Sequence, residues 1–165
     1  MNDEPTLYLD YDGVLHPADV RVNREGLRIP QVYIKGKPSS HPLFEHLGLL
    51  EAILEPFPSL RIILATSWVR EFGYEFALSC LTPKLKARVV GSTWQPTMRF
   101  EPPARYYSIQ IDAEERGLAK WIALDDDLYC WPDSELHRVV APTDRLLGLA
   151  EPGIAEELAD KLREF

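Results

Sequence analysis

Cysteine is scarce in this chain: Cys80 and Cys130 are its only two, and they lie far apart. This argues against a disulfide framework and suits reduced, buried thiols. Cys130 and His137 are too isolated to build a zinc site, which needs four closely arranged ligands. Long apolar runs are missing as well, none approaching the roughly 18 residues needed to span a bilayer. Met1-Asn2-Asp3-Glu4 is acidic where a secretory leader would be basic, so the expected compartment is the cytoplasm. Positive charge is in deficit, 18 Lys and Arg against 26 Asp and Glu, for a net charge of −8. Such a balance disfavours non-specific attraction to nucleic acid or to anionic membranes, while leaving room for a local basic patch that receives one phosphate end. No repeat, low-complexity tract or Gly/Ser-rich linker divides the sequence. Its length suits one well-packed domain over residues 1–165.

What is present is organised around Thr6-Leu7-Tyr8-Leu9-Asp10-Tyr11-Asp12-Gly13-Val14-Leu15. Leu7, Tyr8 and Leu9 form a short apolar run after Pro5, the pattern of a strand buried on both faces. Two carboxylates follow where that strand runs out, and Gly13 lets the chain turn sharply without a Cβ penalty. In an open α/β sheet this edge is where ligands bind.

Residues 16–40 carry turn formers and little helical period, and Arg21–Gly36 within them reads as one or two short hairpins. A helix is expected over Pro42–Glu55, with Leu43, Leu47, Leu50 and Leu54 on one face, Ser40 near its start, and Pro56 and Pro58 as its stop. Arg61–Ala65 reads as a second buried strand ending in Thr66-Ser67-Trp68, followed by a helix over Val69–Leu81 with Phe72, Phe76 and Cys80 inward. After a basic, weakly helical link at Lys84–Arg88, Val89-Val90 is a short third strand. A loop over Gly91–Pro103 leads into a helix that starts at Pro102 and Pro103, runs to Arg116 and is closed by Gly117. Trp121–Leu124 is the fourth strand, ending in Asp125-Asp126-Asp127, and His137–Val140 the fifth. A last amphipathic helix has Ile154, Leu158 and Leu162 on one face. The expected architecture is therefore three-layer, Rossmann-like α/β, a parallel sheet of about five strands with helices on both faces and a hairpin insertion after the first strand.

Three strand ends now carry chemistry: Asp10 and Asp12, Thr66 and Ser67, and the run Asp125 to Asp127. In a parallel sheet these ends share one edge, so residues distant in sequence converge. Asp10-x-Asp12-Gly13-Val14-Leu15 resembles the first motif of the haloacid dehalogenase-like (HAD) superfamily, mostly phosphatases and phosphotransferases with an aspartate nucleophile. The succession of the other motifs is similar too: Thr or Ser after the second strand, Lys or Arg at or before a later helix, and an acidic pair after the fourth strand. With Leu15-His16-Pro17 and Thr66-Ser67-Trp68, the chain resembles a small, nearly capless branch whose domains are found in or beside bacterial RNA-repair assemblies.

The resemblance implies a Mg²⁺-dependent phosphatase that acts through an aspartyl-phosphate, with Asp10 as nucleophile and Asp12 as general acid and base. Thr66 would hold a phosphoryl oxygen, with Ser67 as the alternative. Arg105 is the expected cation, ahead of Lys120, Arg99 and Lys84. Asp10, Asp12, Asp125 and Asp126 are the expected metal ligands, since Mg²⁺ takes carboxylate oxygens and tolerates substrate oxygens and water beside them. Asp at position 12 resembles phosphatases and phosphomutases, which disfavours dehalogenation. Residues 16–40 would be a flap over the site, short enough to leave it open to a phosphorylated small molecule or a nucleic-acid end. Two other readings stay open: a phosphotransferase, and a module that binds a phosphorylated partner without turnover. His16 is expected as a turn residue or a pocket wall.

Overall fold

A computed structural model describes residues 3–23, 28–94 and 104–165. Five parallel strands form the main sheet: β1 (Thr6–Leu9), β5 (Arg61–Leu64), β6 (Val89–Ser92), β7 (Trp121–Leu124) and β8 (Val139–Val140), in the order β6-β5-β1-β7-β8. The chain builds outward from β1 on one side, then crosses back to place β7 and β8 on the other. The reversal of order falls between β1 and β7, a topological switch point of the kind where ligands bind in open α/β sheets.

Alternation of side chains distributes each strand between two cores. Leu7, Leu9, Ile62, Leu64, Ile122, Leu124 and Val140 face one way, against Leu50 and Leu54 of helix α1 (Leu47–Leu54) and Leu158 and Leu162 of helix α6 (Ile154–Arg163). Tyr8, Ile63, Ala123 and Val139 face the other, against Tyr106, Ile109 and Ala113 of helix α5 (Arg105–Arg116) and against Trp131. A strand covered on both sides needs apolar residues at consecutive positions, which is why β1, β5 and β7 read as unbroken apolar runs. Gly117 ends α5 in the left-handed conformation expected of a helix-closing glycine. Among the described residues no helix is long and apolar enough to cross a membrane.

The insertion after β1 is a three-stranded antiparallel sheet made of β2 (Val20–Asn23), β3 (Ile29–Ile34) and β4 (Lys37–Pro38). Val32 anchors it, being 1 % exposed. The Arg28 guanidinium pairs with Glu71 at 3.1 Å and lies 5.9 Å from the Phe72 ring centre, tying the insertion to helix α2 (Trp68–Phe72).

Several expected boundaries move, each for a local reason. The helix expected from Pro42 begins only at Leu47. Phe44 takes a left-handed conformation (φ 56°), its N–H bonds the His16 ring, and the His46 N–H bonds the Leu15 carbonyl. Tertiary bonds to the loop after β1 thus replace the first helical turn, and Ser40 caps nothing there. The helix expected over Val69–Leu81 is two short ones, α2 and α3 (Tyr74–Ser79), broken at Gly73 (φ 92°). The break turns Ala77 into the core and leaves Phe76 43 % exposed rather than inward. The basic link holds a single turn, α4 (Pro83–Lys86), and β6 runs two residues further than Val89-Val90. The fifth strand shrinks to Val139–Val140, because Asp133–Arg138 forms a 3-10 helix that sets the Arg138 guanidinium 4.7 Å from the Trp121 ring centre. Pro102 and Pro103 lie outside the described residues, as does Arg99.

Candidate active site

Register fixes the level at which the acids emerge. Leu9 pairs with Leu64 on one side and Leu124 on the other, so Asp10, Ala65 and Asp125 come next on three neighbouring strands. The Asp10 N–H bonds the Leu124 carbonyl and the Ala65 N–H the Leu9 carbonyl, carrying the ladder one residue beyond the strands. Asp10 and Asp125 therefore face each other across the switch point, 5 % and 1 % exposed.

Carboxylate oxygens of Asp10, Asp125 and Asp126 all lie within 4.8 Å of one another. Gly13 makes this possible. It turns with φ 72°, and a Cβ built on it would stand 2.1 Å from Asp126 Oδ2, so any side chain would push that carboxylate away. The turn is braced from behind, where the Leu149 N–H bonds the Val14 carbonyl at 2.8 Å. Gly148 supplies the close approach, since a Cβ there would come within 2.6 Å of the Val14 oxygen.

Arg105, the first residue of α5, reaches into this cluster. Its Nη1 lies 2.9 Å from Asp125 Oδ2 and 3.3 Å from Asp10 Oδ1. Of the cations considered, Lys120 bonds the Phe165 carbonyl and Lys84 borders a separate hollow beside Arg61 and Arg88. Burial works against the charge on Arg105, but the carboxylates of Asp10 and Asp125 outweigh it and hold the guanidinium firmly protonated.

One guanidinium against three carboxylates, those of Asp10 and Asp125 buried and that of Asp126 half-buried, leaves the site rich in negative charge. Burial raises the affinity of Asp10 for a proton, with Arg105 opposing and Asp12 adding to the rise. Burial, then the neighbouring Asp10 charge, raises Asp125 well above the ordinary carboxylate range. The same two causes push Asp126 up to about 7. Such a set of hard oxygen donors, short of positive charge, suits a hard divalent cation. Its residues are Asp10, Asp125 and Asp126; the Asp12 carboxylate stands outside the cluster. Asp12 Oδ1 instead accepts the Trp68 indole N–H at 2.8 Å and contacts His16 Nε2 at 2.7 Å.

These raised values have a stability consequence. Between about pH 4 and about 7 the metal-free folded state binds protons that the unfolded chain does not. The stabilisation is complete below the unfolded carboxylate value and is lost as pH rises through the folded values. His46, whose partly buried ring resists protonation, pulls the other way in acid. Asp19 and Glu151, held low by hydrogen bonds, do so as well, but their effect falls below the ordinary carboxylate range rather than between pH 5.5 and 8. Thermal unfolding in chelator should therefore give a higher Tm at pH 5.5 than at pH 8. Added Mg²⁺ should raise Tm more at pH 8, and Asp126→Asn should flatten both trends; a Tm that climbs with pH in chelator would contradict this account of the cluster.

Thr66 follows β5 and is 5 % exposed, its Oγ1 accepting the Trp68 N–H at 3.3 Å. It is thus a local cap whose own hydroxyl proton meets no acceptor among the described residues. Ser67 precedes α2 without a side-chain capping bond. Both line a cleft of about 240 Å³ with Arg70, Trp94, Arg105 and Asp127. Ser67 and Arg70 also border a cleft of about 390 Å³ that holds Asp12, Trp68 and, from the insertion, Val20 and Val22. Larger hollows of about 520 and 680 Å³ lie elsewhere and contain none of the acids from the strand ends. Asp127, exposed, accepts the Tyr129 N–H and stays outside the acidic cluster.

Sequence reasoning underrated two residues. His16 does close the turn after β1, its carbonyl accepting the Gly13 N–H at 3.0 Å, but its ring is fully buried and joined to Asp12. Trp68 appeared only as the neighbour of a hydroxyl pair. The four-residue spacing of Asp12 and His16 was the available signal for the first; nothing local announced the second.

Acids converging at the switch point of a five-stranded parallel sheet, with an antiparallel insertion directly after the first strand, are the arrangement expected of a HAD-like domain. The family model for the HAD domain in Swiss Army Knife RNA repair proteins matches residues 6–154, and the chain belongs to that family. No curated protein and no solved structure matches it. Family membership supports phosphoryl-transfer chemistry in general terms, and the acidic cluster could bind a metal ion.

Proposed function

We propose that this domain is a Mg²⁺-dependent phosphatase in which Asp10 is the nucleophile. The observation that carries the reading is the meeting of Asp10, Asp125 and Asp126 with Arg105 at the switch point. Asp10, Asp125 and Asp126 would hold the ion, whose charge would offset the repulsion between a carboxylate and a phosphate dianion. Asp10 then attacks phosphorus in line, giving an aspartyl-phosphate on its own side chain. Arg105 and the Thr66 hydroxyl hold the equatorial oxygens and balance the charge that grows on them. Asp12 gives a proton to the departing oxygen and later takes one from the attacking water. A site that only bound phosphate would have no need of this second carboxylate, so its presence favours turnover over a binding module.

The substrate we infer is a phosphate monoester presented at the open clefts beside Asp12 and Thr66, with the 16–40 insertion as a flap. The family's description favours a nucleic-acid end over a free metabolite. Arg70, on the border of both clefts, is suitably placed to meet a second anionic group. Purified protein should hydrolyse p-nitrophenyl phosphate when Mg²⁺ is supplied, stop in EDTA and recover on re-addition. Binding of phosphate and Mg²⁺ with no product from a broad monoester panel would remove the enzyme and leave the binding module.

A further inference from the structure

Asp12 is held in a way that assigns different duties to its two oxygens. The Phe44 N–H donates to His16 Nδ1 at 3.2 Å, so that nitrogen carries a lone pair and the ring proton sits on Nε2. Nε2–H then donates to Asp12 Oδ1 at 2.7 Å. Trp68 Nε1–H, a group that can only donate, reaches the same oxygen at 2.8 Å. Oδ1 is therefore saturated by two N–H groups, whereas Oδ2 takes no hydrogen bond among the described residues. The clamp itself is rigid. His16 is 0 % exposed, with the Phe44 ring at 4.7 Å and the Trp68 ring at 5.6 Å between centres. Phe44 holds its left-handed turn to present its N–H to this ring. Elsewhere in the site Asp10 and Asp125 share a guanidinium, and each accepts a single backbone N–H, from Tyr11 and Asp127 respectively.

We propose that His16 and Trp68 are positioning residues that turn Asp12 Oδ2 toward the leaving group and confine its transferable proton to that oxygen. The inference rests on the phosphatase reading above. As Asp10 forms its bond to phosphorus, the ester P–O bond breaks and its electron pair goes to the leaving oxygen. That oxygen takes the proton from Asp12 Oδ2, so the alcohol departs neutral and Asp12 is left as the carboxylate that accepts a proton from water in the second step. A proton on Oδ1 would face two donors and no acceptor, so the clamp excludes the unproductive form. His16 is fully buried and Trp68, though it borders the cleft, is only 2 % exposed; both act on the proton through Asp12.

Dependence on the leaving group separates this role from a structural one. An alkyl phosphate needs a proton on its departing oxygen, whereas p-nitrophenolate leaves as a stable anion and needs little help. His16→Leu and Trp68→Phe should each lower kcat on an alkyl phosphate about ten- to a hundredfold, within the range that general acid catalysis supplies. The same variants should lose less than about threefold on p-nitrophenyl phosphate, with KM little changed on either substrate. His16→Gln, whose amide can still donate at the place of Nε2, should recover most of the alkyl rate. Equal losses on both substrates in an active, folded Trp68→Phe protein would overturn the positioning role, as would His16→Gln behaving like His16→Leu. Trp68→Phe keeps the test decisive even where His16→Leu does not fold. Wild-type protein inactive on both substrates would instead bring down the phosphatase reading itself, a different result from uniform loss in the variants.

Discussion

Asp10→Asn is expected to lower turnover of an aryl phosphate by at least about a thousandfold while leaving the fold intact. The side chain is 5 % exposed and sits against two further carboxylates, so its shape matters for packing and its charge for chemistry. Asparagine keeps the shape. Its carbonyl oxygen can still accept the Tyr11 N–H, a contact of 2.8 Å in the native site, and still lie beside Arg105. What would disappear is the proposed nucleophile, because an amide oxygen is far too weak to displace an alcohol from phosphorus. One buried negative charge disappears with it, so in chelator the variant should melt no lower than the wild type, and higher at pH 8. Steady-state kinetics with thermal unfolding on the same preparations checks both halves. A variant within tenfold of the wild-type rate would show that Asp10 does not carry the phosphoryl group.

Arg105→Met should have the largest effect on stability. The guanidinium spans Asp125 and Asp10 with its side chain 19 % exposed and theirs 1 % and 7 %. Removing one partner of a buried ion pair leaves uncompensated charge and costs about 3–5 kcal/mol. For a chain of this size, 1 kcal/mol moves Tm by roughly 2–4 °C, so a drop on the order of 10 °C is expected at pH 8 in chelator. Two conditions should reduce the loss. Acid should, because the stranded carboxylates can protonate, and Mg²⁺ should, because a divalent ion replaces the missing charge. Arg105→Lys separates charge from geometry. It should keep most of the stability but lose turnover, since a single ammonium cannot reproduce the planar fork that meets two oxygens at once. A drop in Tm equal at pH 5 and pH 8, with or without Mg²⁺, would mean that Arg105 supports the fold by packing alone.

The frame of the fold was legible because it rests on local patterns. Leu7 to Leu9, Ile62 to Leu64 and Trp121 to Leu124 are short apolar runs, which a sheet covered on both faces demands, and polar residues follow where the sheet ends: Asp10 and Asp125 at once, Thr66 after Ala65. The acids at 10, 125 and 126 follow from that placement alone. What escaped depends on partners distant in sequence. Nothing between Pro42 and His46 shows that the backbone will bond to the loop after β1 rather than to its own next turn. Phe44 and His16, 28 positions apart, have to meet before either conformation makes sense. Trp68 reaches Asp12 across 56 positions by an indole N–H that could equally have faced solvent. The separation of Asp12 from the metal-type cluster follows from those same two contacts. Gly73 could be seen as a weak point in a helix, but the direction in which the chain resumes is set by Ala77, whose carbonyl accepts the buried Tyr11 hydroxyl at 2.8 Å.

A crystal soaked with Mg²⁺ and beryllium fluoride tests the central claim most directly. Expected are a trifluoroberyllate on the Asp10 carboxylate, one ion held by Asp10 with Asp125 or Asp126, and Arg105 turned from the carboxylates toward the fluorines. An ion bound away from these three acids, or a fluoride adduct on any other residue, would contradict it.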